Sequence, residues 1–206
     1  MISDQDVASV RMARHSLTLK FLSGIIHAPL VTGAIAPSSR RLARRMVRAS
    51  GVEQANAILE LGPGTGVITR EILDSKRAGA TVLAIERRRD FAHALARQYP
   101  AVYVVEDCAS RLRHHSQRLG LDGADSIVSA LPWTNFPPDL QANILGEACA
   151  FLREGGVFVT ILCAGLHLMP PGRRFRRLLE SLFPSVERSD FILRNVPPAF
   201  IYRCSK

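Results

Sequence analysis

The nine residues Ile58-Leu59-Glu60-Leu61-Gly62-Pro63-Gly64-Thr65-Gly66 constrain the fold more than any other part of this 206-residue chain. An apolar run that carries an acidic residue and then breaks into a glycine-rich turn predicts a buried β-strand. Its carboxyl end would be brought up to a nucleotide-sized ligand. Gly62 and Gly64 allow a positive φ and close backbone approach, and Gly66 lets the following helix pack tightly on the strand. The dinucleotide fingerprint is G-x-G-x-x-G, whereas here Val67 stands at the sixth place, which disfavours a nicotinamide or flavin dinucleotide. Glu60 would also repel a pyrophosphate, but it can orient an amine-bearing cation. S-adenosylmethionine meets both conditions.

Two further acidic residues follow in series. Thr81-Val82-Leu83-Ala84-Ile85 reads as a short buried strand ending in Glu86, about 20 residues past the glycines, where a ribose-binding carboxylate is expected. Val102-Tyr103-Val104-Val105 is a third strand, closing in Glu106-Asp107-Cys108. Taken singly, Glu86 and Asp107 read equally well as solvated strand ends. Three acids in order, each tied to a β-like run, point to a cofactor crevice instead.

Helical spacing fills the intervals: Val67 to Arg77, Arg89 to Gln98, and Pro138 to Leu152 ahead of Gly155-Gly156. Ser126 to Ala130 and Val157 to Leu162 supply a fourth and a fifth strand. Strand and helix in alternation predict parallel strands joined by right-handed crossovers. The rhythm then changes, because Val186 to Leu193, the turn Asn195-Val196-Pro197-Pro198, and Ala199 to Arg203 read as an antiparallel hairpin. The expected fold is therefore α/β: a mostly parallel seven-stranded sheet with helices on both faces and a C-terminal antiparallel hairpin. This is the Rossmann-like fold of class I S-adenosylmethionine-dependent methyltransferases. Ligands of such sheets bind at the carboxyl ends of the strands, where Glu60, Glu86, Asp107 and Leu131 would all emerge.

The length suits one compact domain, with residues 1–50 expected as a basic helical extension and 51–206 as the catalytic domain. The formal charge is +9, and 24 of the 27 basic residues are arginine. Arginine forks onto phosphate, although a GC-rich genome gives the same bias. Residues 1–50 alone carry a net +6. Within them, Val7 to Ile26 reads as an amphipathic helix with Arg11, Arg14 and Lys20 away from its apolar side, either covering a core or lying on a membrane. Pro37-Ser38-Ser39 starts a second helix with a serine cap, followed by Arg40, Arg41, Arg44, Arg45 and Arg48. Cations early in a helix oppose its dipole, which suggests an external use for them. Arg173, Arg174, Arg176 and Arg177 surround Phe175 in a third basic group suited to an anionic lipid interface. Cys108, Cys149, Cys163 and Cys204 are scattered without a C-x-x-C pair, so free thiols and no metal site are expected. No signal peptide or membrane-spanning run is evident. A cytoplasmic protein is expected, peripheral to the inner face of the plasma membrane.

Four segments carry a family resemblance. Pro29 to Ser39 (including T-G-A-I-A-P-S-S), ELGPGTG, Ala130-Leu131-Pro132, and Arg194-Asn195-Val196-Pro197-Pro198-Ala199 resemble the bacterial phospholipid N-methyltransferases. These are similar in fold to the rRNA adenine dimethylases. The resemblance implies stepwise methylation of phosphatidylethanolamine toward phosphatidylcholine, with S-adenosylmethionine as cofactor and S-adenosylhomocysteine as product. It also implies an N-terminal amphipathic helix that holds the enzyme on the membrane. By position, Glu60, Gly62, Gly64 and Gly66 would line the methionine end of the cofactor, Glu86 the ribose, and Asp107 with Cys108 the adenine. Thr65, Arg87 and Ala130 complete the expected cofactor-binding set.

The dimethylases carry Asn-Leu-Pro-aromatic after strand four and hold the target amine with the Asn, whereas this chain reads Ala130-Leu131-Pro132-Trp133. Without the amide a nucleobase amine loses its acceptor, so a lipid amine is favoured over RNA. An rRNA or soluble-substrate methyltransferase is the alternative. Leu131, Pro132 and Trp133 are the expected acceptor-side residues. Trp133 could face a partly methylated ammonium through its ring or pack beneath the loop. Methyl transfer chiefly requires the acceptor nitrogen to be held in line with the methyl group, and a lipid ammonium must first lose its proton. His167 is the expected group to help with that proton.

Overall fold

The structure is a computed structural model in which residues 37–189 and 199–206 are described. The Val7–Ile26 helix, most of the Pro29–Ser39 segment and the Asn195–Pro198 turn lie outside the described residues. The body of the fold runs from 36 to 206. Helix α1, Pro37–Ala49, belongs to it. Leu42, Ala43, Met46 and Val47 are buried against the sheet and its neighbouring helix, while Arg40, Arg41, Arg44, Arg45 and Arg48 stay exposed. Residues 37–49 of the expected 1–50 extension thus pack into the core.

Beyond α1 the chain alternates: β1 Ala57–Leu61, α2 Val67–Ser75, β2 Thr81–Glu86, α3 Arg89–Gln98, β3 Tyr103–Glu106, α4 Leu112–Arg118, β4 Ala124–Ser129, α5 Pro138–Phe151 and β5 Leu152–Cys163. It finishes with the short α6, Ala164–His167, then α7 Pro170–Leu182, β6 Ser185–Arg188 and β7 Ala199–Ser205. One sheet results, in the order β3-β2-β1-β4-β5-β7-β6. Strands β1 to β5 are parallel, and β7 runs antiparallel to both β5 and β6.

Parallel strands covered on both faces are near-continuously apolar, and every residue of Ala57-Ile58-Leu59-Glu60-Leu61 is buried, the acid Glu60 included. On one face, Leu59, Leu61, Leu83, Ile85 and Phe158 pack with residues of α4, α5 and α7. On the other, Ile58, Val82, Ala84, Val128 and Val159 pack with α1, α2 and α3. Strand β5 is longer than its apolar run, because Gly155 at φ 77° and Gly156 let the chain bulge between Leu152 and Val157 while keeping the pairing to β4. At the opposite end of the sheet from the glycine turn, Asp125 accepts the Asn56 and Ala57 amides at 2.7 and 2.9 Å and a guanidinium hydrogen of Arg153 at 2.9 Å. One carboxylate there ties the starts of β1, β4 and β5 together.

Candidate active site

The register makes the carboxyl ends of three strands flush: Leu61 lies opposite Ile85 of β2 and Ser129 of β4. The loops after β1, β2, β3 and β4 therefore open side by side. Gly62, Gly64 and Gly66 have φ of 74°, 55° and 80°, the left-handed conformation that side chains oppose. A Cβ on Gly62 would lie 2.7 Å from Leu131 Cδ2, so the glycine turn and the acceptor-side loop touch there. A Cβ on Gly66 would press Leu95 of α3 and Tyr99 just past its end, whereas Gly64 faces open space. That space and the exposed Thr65 beside it suit a ligand lying on the turn.

Glu60 is almost fully buried, in register with Ala84 and Val128. Thr69 of α2 donates its hydroxyl to Glu60 Oε2 at 2.7 Å, while Oε1 has no partner. Burial is the largest influence on this carboxyl and pushes its pKa up to about 8, against the opposing Thr69 hydrogen bond and with help from nearby Glu86. A buried acid with one unpartnered oxygen and a raised pKa behind the glycine turn is a costly arrangement without a cationic ligand to receive it. Residue type and position fit the ammonium of a bound amino-acid moiety.

Glu86 is buried at the end of β2 and accepts the Gly64 amide at 3.0 Å and the Arg88 amide at 2.8 Å. Its carboxylate thus closes the β1 turn onto the β2 turn. Arg87 is exposed. The neighbouring Arg88 lies over the Phe91 ring at 4.1 Å and pairs with Asp90.

Asp107 is held by its own surroundings. It accepts the Cys108 amide at 2.7 Å, Arg111 at 2.9 Å and a His115 Nε2 contact at 2.7 Å. Partial burial, its largest influence, raises the pKa. Together the His115 and Cys108 hydrogen bonds and the Arg111 charge outweigh it, so the carboxyl ionises below its usual range. Thr69, Arg111 and His115 were not expected from the sequence. The four-residue step from Asp107 to Arg111 was the available signal for the second.

On the acceptor side, Ala130 and Pro132 are exposed and Leu131 is half-buried. Trp133 does not face the crevice. Its side chain is buried, donates Nε1–H to Thr160 at 2.7 Å, stacks on Phe175 of α7 at 5.3 Å, and meets Phe136 and Phe158 edge-on. Gln141 of α5 donates to the Trp133 carbonyl. The packing alternative holds and the ammonium-facing one is corrected, because the indole N–H has its acceptor inside the core. Leu131-Pro132 is presented to the crevice because Trp133 anchors the residue after it. His167 ends α6, beyond β5, with its ring edge-on to Phe200 of β7 at 4.7 Å. It belongs to the hairpin side of the sheet, and Glu60, Glu86 and Asp107 gather without it.

A seven-stranded 3-2-1-4-5-7-6 sheet carrying a glycine turn and three acids at successive strand ends defines a class I S-adenosylmethionine-dependent methyltransferase. No family model matches the chain. It is 33% identical over 187 residues to the ornithine lipid N-methyltransferase of Singulisphaera acidiphila, covering 89% of this chain and 93% of that one. The chain belongs to this family of bacterial lipid N-methyltransferases. The relation to the rRNA dimethylases is visible as well: 33% identity over 103 residues to ribosomal RNA small subunit methyltransferase A of Chlorobium luteolum, covering 50% of this chain and 36% of that protein. Among solved structures, the O-methyltransferase of Bacillus cereus in complex with S-adenosylhomocysteine superposes with a TM-score of 0.65 at 18% identity, over 98% of this chain and 96% of that one. S-adenosylmethionine is the cofactor.

Proposed function

We propose that this protein transfers methyl groups from S-adenosylmethionine to the head-group amine of a membrane lipid, working at the membrane surface from the cytoplasmic side. The observation that carries the reading is the loop after β4. Where the related dimethylases use an amide to hold a base, this chain offers the exposed Ala130 and Pro132 with the half-buried Leu131 between them. Aliphatic walls suit a head group attached to hydrocarbon and provide nothing to pair with a nucleobase edge. The full-length likeness to an ornithine lipid N-methyltransferase supports the same class of acceptor. Phosphatidylethanolamine and its mono- and dimethyl derivatives are the acceptors the sequence motifs favour, and ornithine lipid shares their amine chemistry.

The cofactor supplies an electrophilic methyl on a sulfonium: the C–S bond breaks with its electron pair left on sulfur as a new N–C bond forms. Glu60, Glu86 and Asp107 hold the donor at three points along the strand ends, while Leu131 and Pro132 shield the reacting nitrogen from water. The acceptor enters as the free amine, its proton lost beforehand.

The test is incubation with methyl-labelled S-adenosylmethionine and, separately, vesicles containing phosphatidylethanolamine, vesicles containing ornithine lipid, and ribosomal RNA. Label in a lipid amine is expected, and its vesicle of origin names the acceptor. Label in RNA alone, or in neither lipid, overturns the reading.

A further inference from the structure

Three large apolar side chains among the described residues are exposed, and two are adjacent: Leu168, at 69%, and Met169, at 50%. They occupy the turn between α6 and α7, which is hydrogen-bonded on both sides. The Met169 amide donates to the Leu166 carbonyl at 3.1 Å, and the Arg173 amide to the Met169 carbonyl at 3.0 Å. Gly172 seats the first turn of α7 so closely on the Leu166 backbone that a Cβ would collide with it. Pro170 and Pro171 open the helix with fixed φ. The two side chains are therefore held outward by a built turn.

Helix α7 continues the same surface. Gly172, Phe175 and Leu179 are buried, while Arg173, Arg174 and Arg177 are exposed and have no carboxylate partner among the described residues. Arg176, the remaining arginine of the cluster, pairs with Glu180 at 2.7 Å. The first turn of α7 holds no acidic residue, so its early arginines oppose the helix dipole without local compensation. A polyanion such as RNA would match the guanidinium groups but leave Leu168 and Met169 in water. An apolar protein groove would do the reverse. A bilayer with anionic head groups above hydrocarbon answers both.

We propose that Leu168 and Met169, flanked by Arg173, Arg174 and Arg177, form a docking lip that seats the enzyme on an anionic lipid bilayer. The proposal rests on the lipid reading above and names the part of the catalytic body that meets the membrane, apart from residues 1–36. The lip follows β5, whose carboxyl end lies at the same edge of the sheet as the glycine turn. Phe175, on the buried side of α7, stacks on Trp133, the residue after Leu131-Pro132. That stack joins the helix behind the lip to the acceptor-side loop.

The experiment uses the full chain and vesicles of phosphatidylglycerol and phosphatidylcholine, which carry no acceptor amine, so that docking is read apart from catalysis. Co-sedimentation is compared for the wild type, a Leu168→Ser/Met169→Ser variant, and an Arg173→Glu/Arg174→Glu/Arg177→Glu variant. S-adenosylmethionine binding, expected unchanged, reports an intact fold. The serine variant should bind vesicles about tenfold more weakly at every salt concentration. The glutamate variant should lose on the order of a hundredfold at low ionic strength, and the deficit should shrink as salt rises. Wild-type levels of vesicle binding by both variants overturn the lip, as does a wild type that ignores these vesicles or prefers RNA to them. If the wild type docks through these residues yet methylates no lipid, the acceptor reading fails and the lip survives.

Discussion

Replacing Glu60 by Gln should make the cofactor-free enzyme more stable and its cofactor binding worse. The reason lies in the two oxygens of one carboxyl group: Oε2 has the Thr69 hydroxyl and Oε1 has nothing. Its pKa is about 8 in the folded protein against an ordinary 4.5. With the folded value raised, the folded state binds the proton more tightly than the unfolded state. Stability is therefore fullest below about 4.5 and falls as pH rises toward about 8, beyond which the loss is complete. Glutamine keeps the shape and cannot ionise. Relative to it, the wild type is less stable by about 1 kcal/mol at pH 5 and about 3 kcal/mol at pH 7. For a chain of this length the second figure corresponds to a melting temperature higher by roughly 6 to 12 °C in the variant. Thermal unfolding of both proteins between pH 5 and 8 is the assay. Binding of a cationic donor reverses the balance by favouring the ionised acid, so wild-type binding at pH 7 should release close to one proton, read by calorimetry in buffers of different ionisation enthalpy. Affinity should rise about fivefold from pH 7 to 8. Glu60→Gln should release no proton from this site and lose that pH dependence. A variant less stable than wild type by the same amount at every pH would refute the reasoning, because the carboxyl would then be an ionised partner in a satisfied network.

Two further substitutions probe the neighbouring strands. Trp133→Phe leaves the buried Thr160 hydroxyl without its donor and the Phe175 stack incomplete, so stability should fall by about 2 to 3 kcal/mol. Turnover should drop as Leu131-Pro132 shifts, with cofactor affinity kept; unchanged thermal stability would mean that the indole faces the acceptor after all. His115→Ala removes a contact that helps hold the Asp107 pKa down. A depressed carboxylate contributes stability that is present above its ordinary value of 3.8 and lost as pH falls through the folded value. The acid limb of the variant's stability curve should accordingly move to higher pH, with a severalfold weaker cofactor affinity. An acid limb that stays in place would show that Arg111 and the Cys108 amide hold Asp107 alone.

Where one residue type answered one local demand, the sequence was readable. The glycine turn, the apolar runs of β1, β2 and β4, and the position of Glu86 follow from backbone sterics and from burial on both faces, and these act over a few neighbouring residues. Helix α3 begins and ends where its spacing put it. Trp133 shows where this kind of reading stops: an indole beside an acceptor loop suggests cation binding, yet its fate is set by Thr160, 27 residues on, and Phe175, 42 residues on. His167 was expected near the chemistry because it follows β5, and the structure adds a neighbour the local sequence does not announce, Phe200 of the antiparallel β7, against which its ring lies edge-on.

The arginine clusters invert that lesson. Composition gave their charge, but both basic helices bury an apolar face in the same domain, α1 through Leu42, Met46 and Val47, and α7 through Phe175 and Leu179. Their basic character is therefore the outer half of a structural helix. Charge alone does not distinguish a solvated face from a docking one. At α7 the proposed docking face is set apart by Leu168 and Met169, whose exposure no hydropathy pattern predicts, since an apolar pair ahead of two prolines reads as core. The turn between α6 and α7 directs Leu168 and Met169 into solvent beside Arg173, Arg174 and Arg177, which have no carboxylate partner among the described residues, and the Phe175–Trp133 stack joins α7 to the acceptor-side loop, so the proposed docking surface and the site of chemistry meet at one aromatic stack.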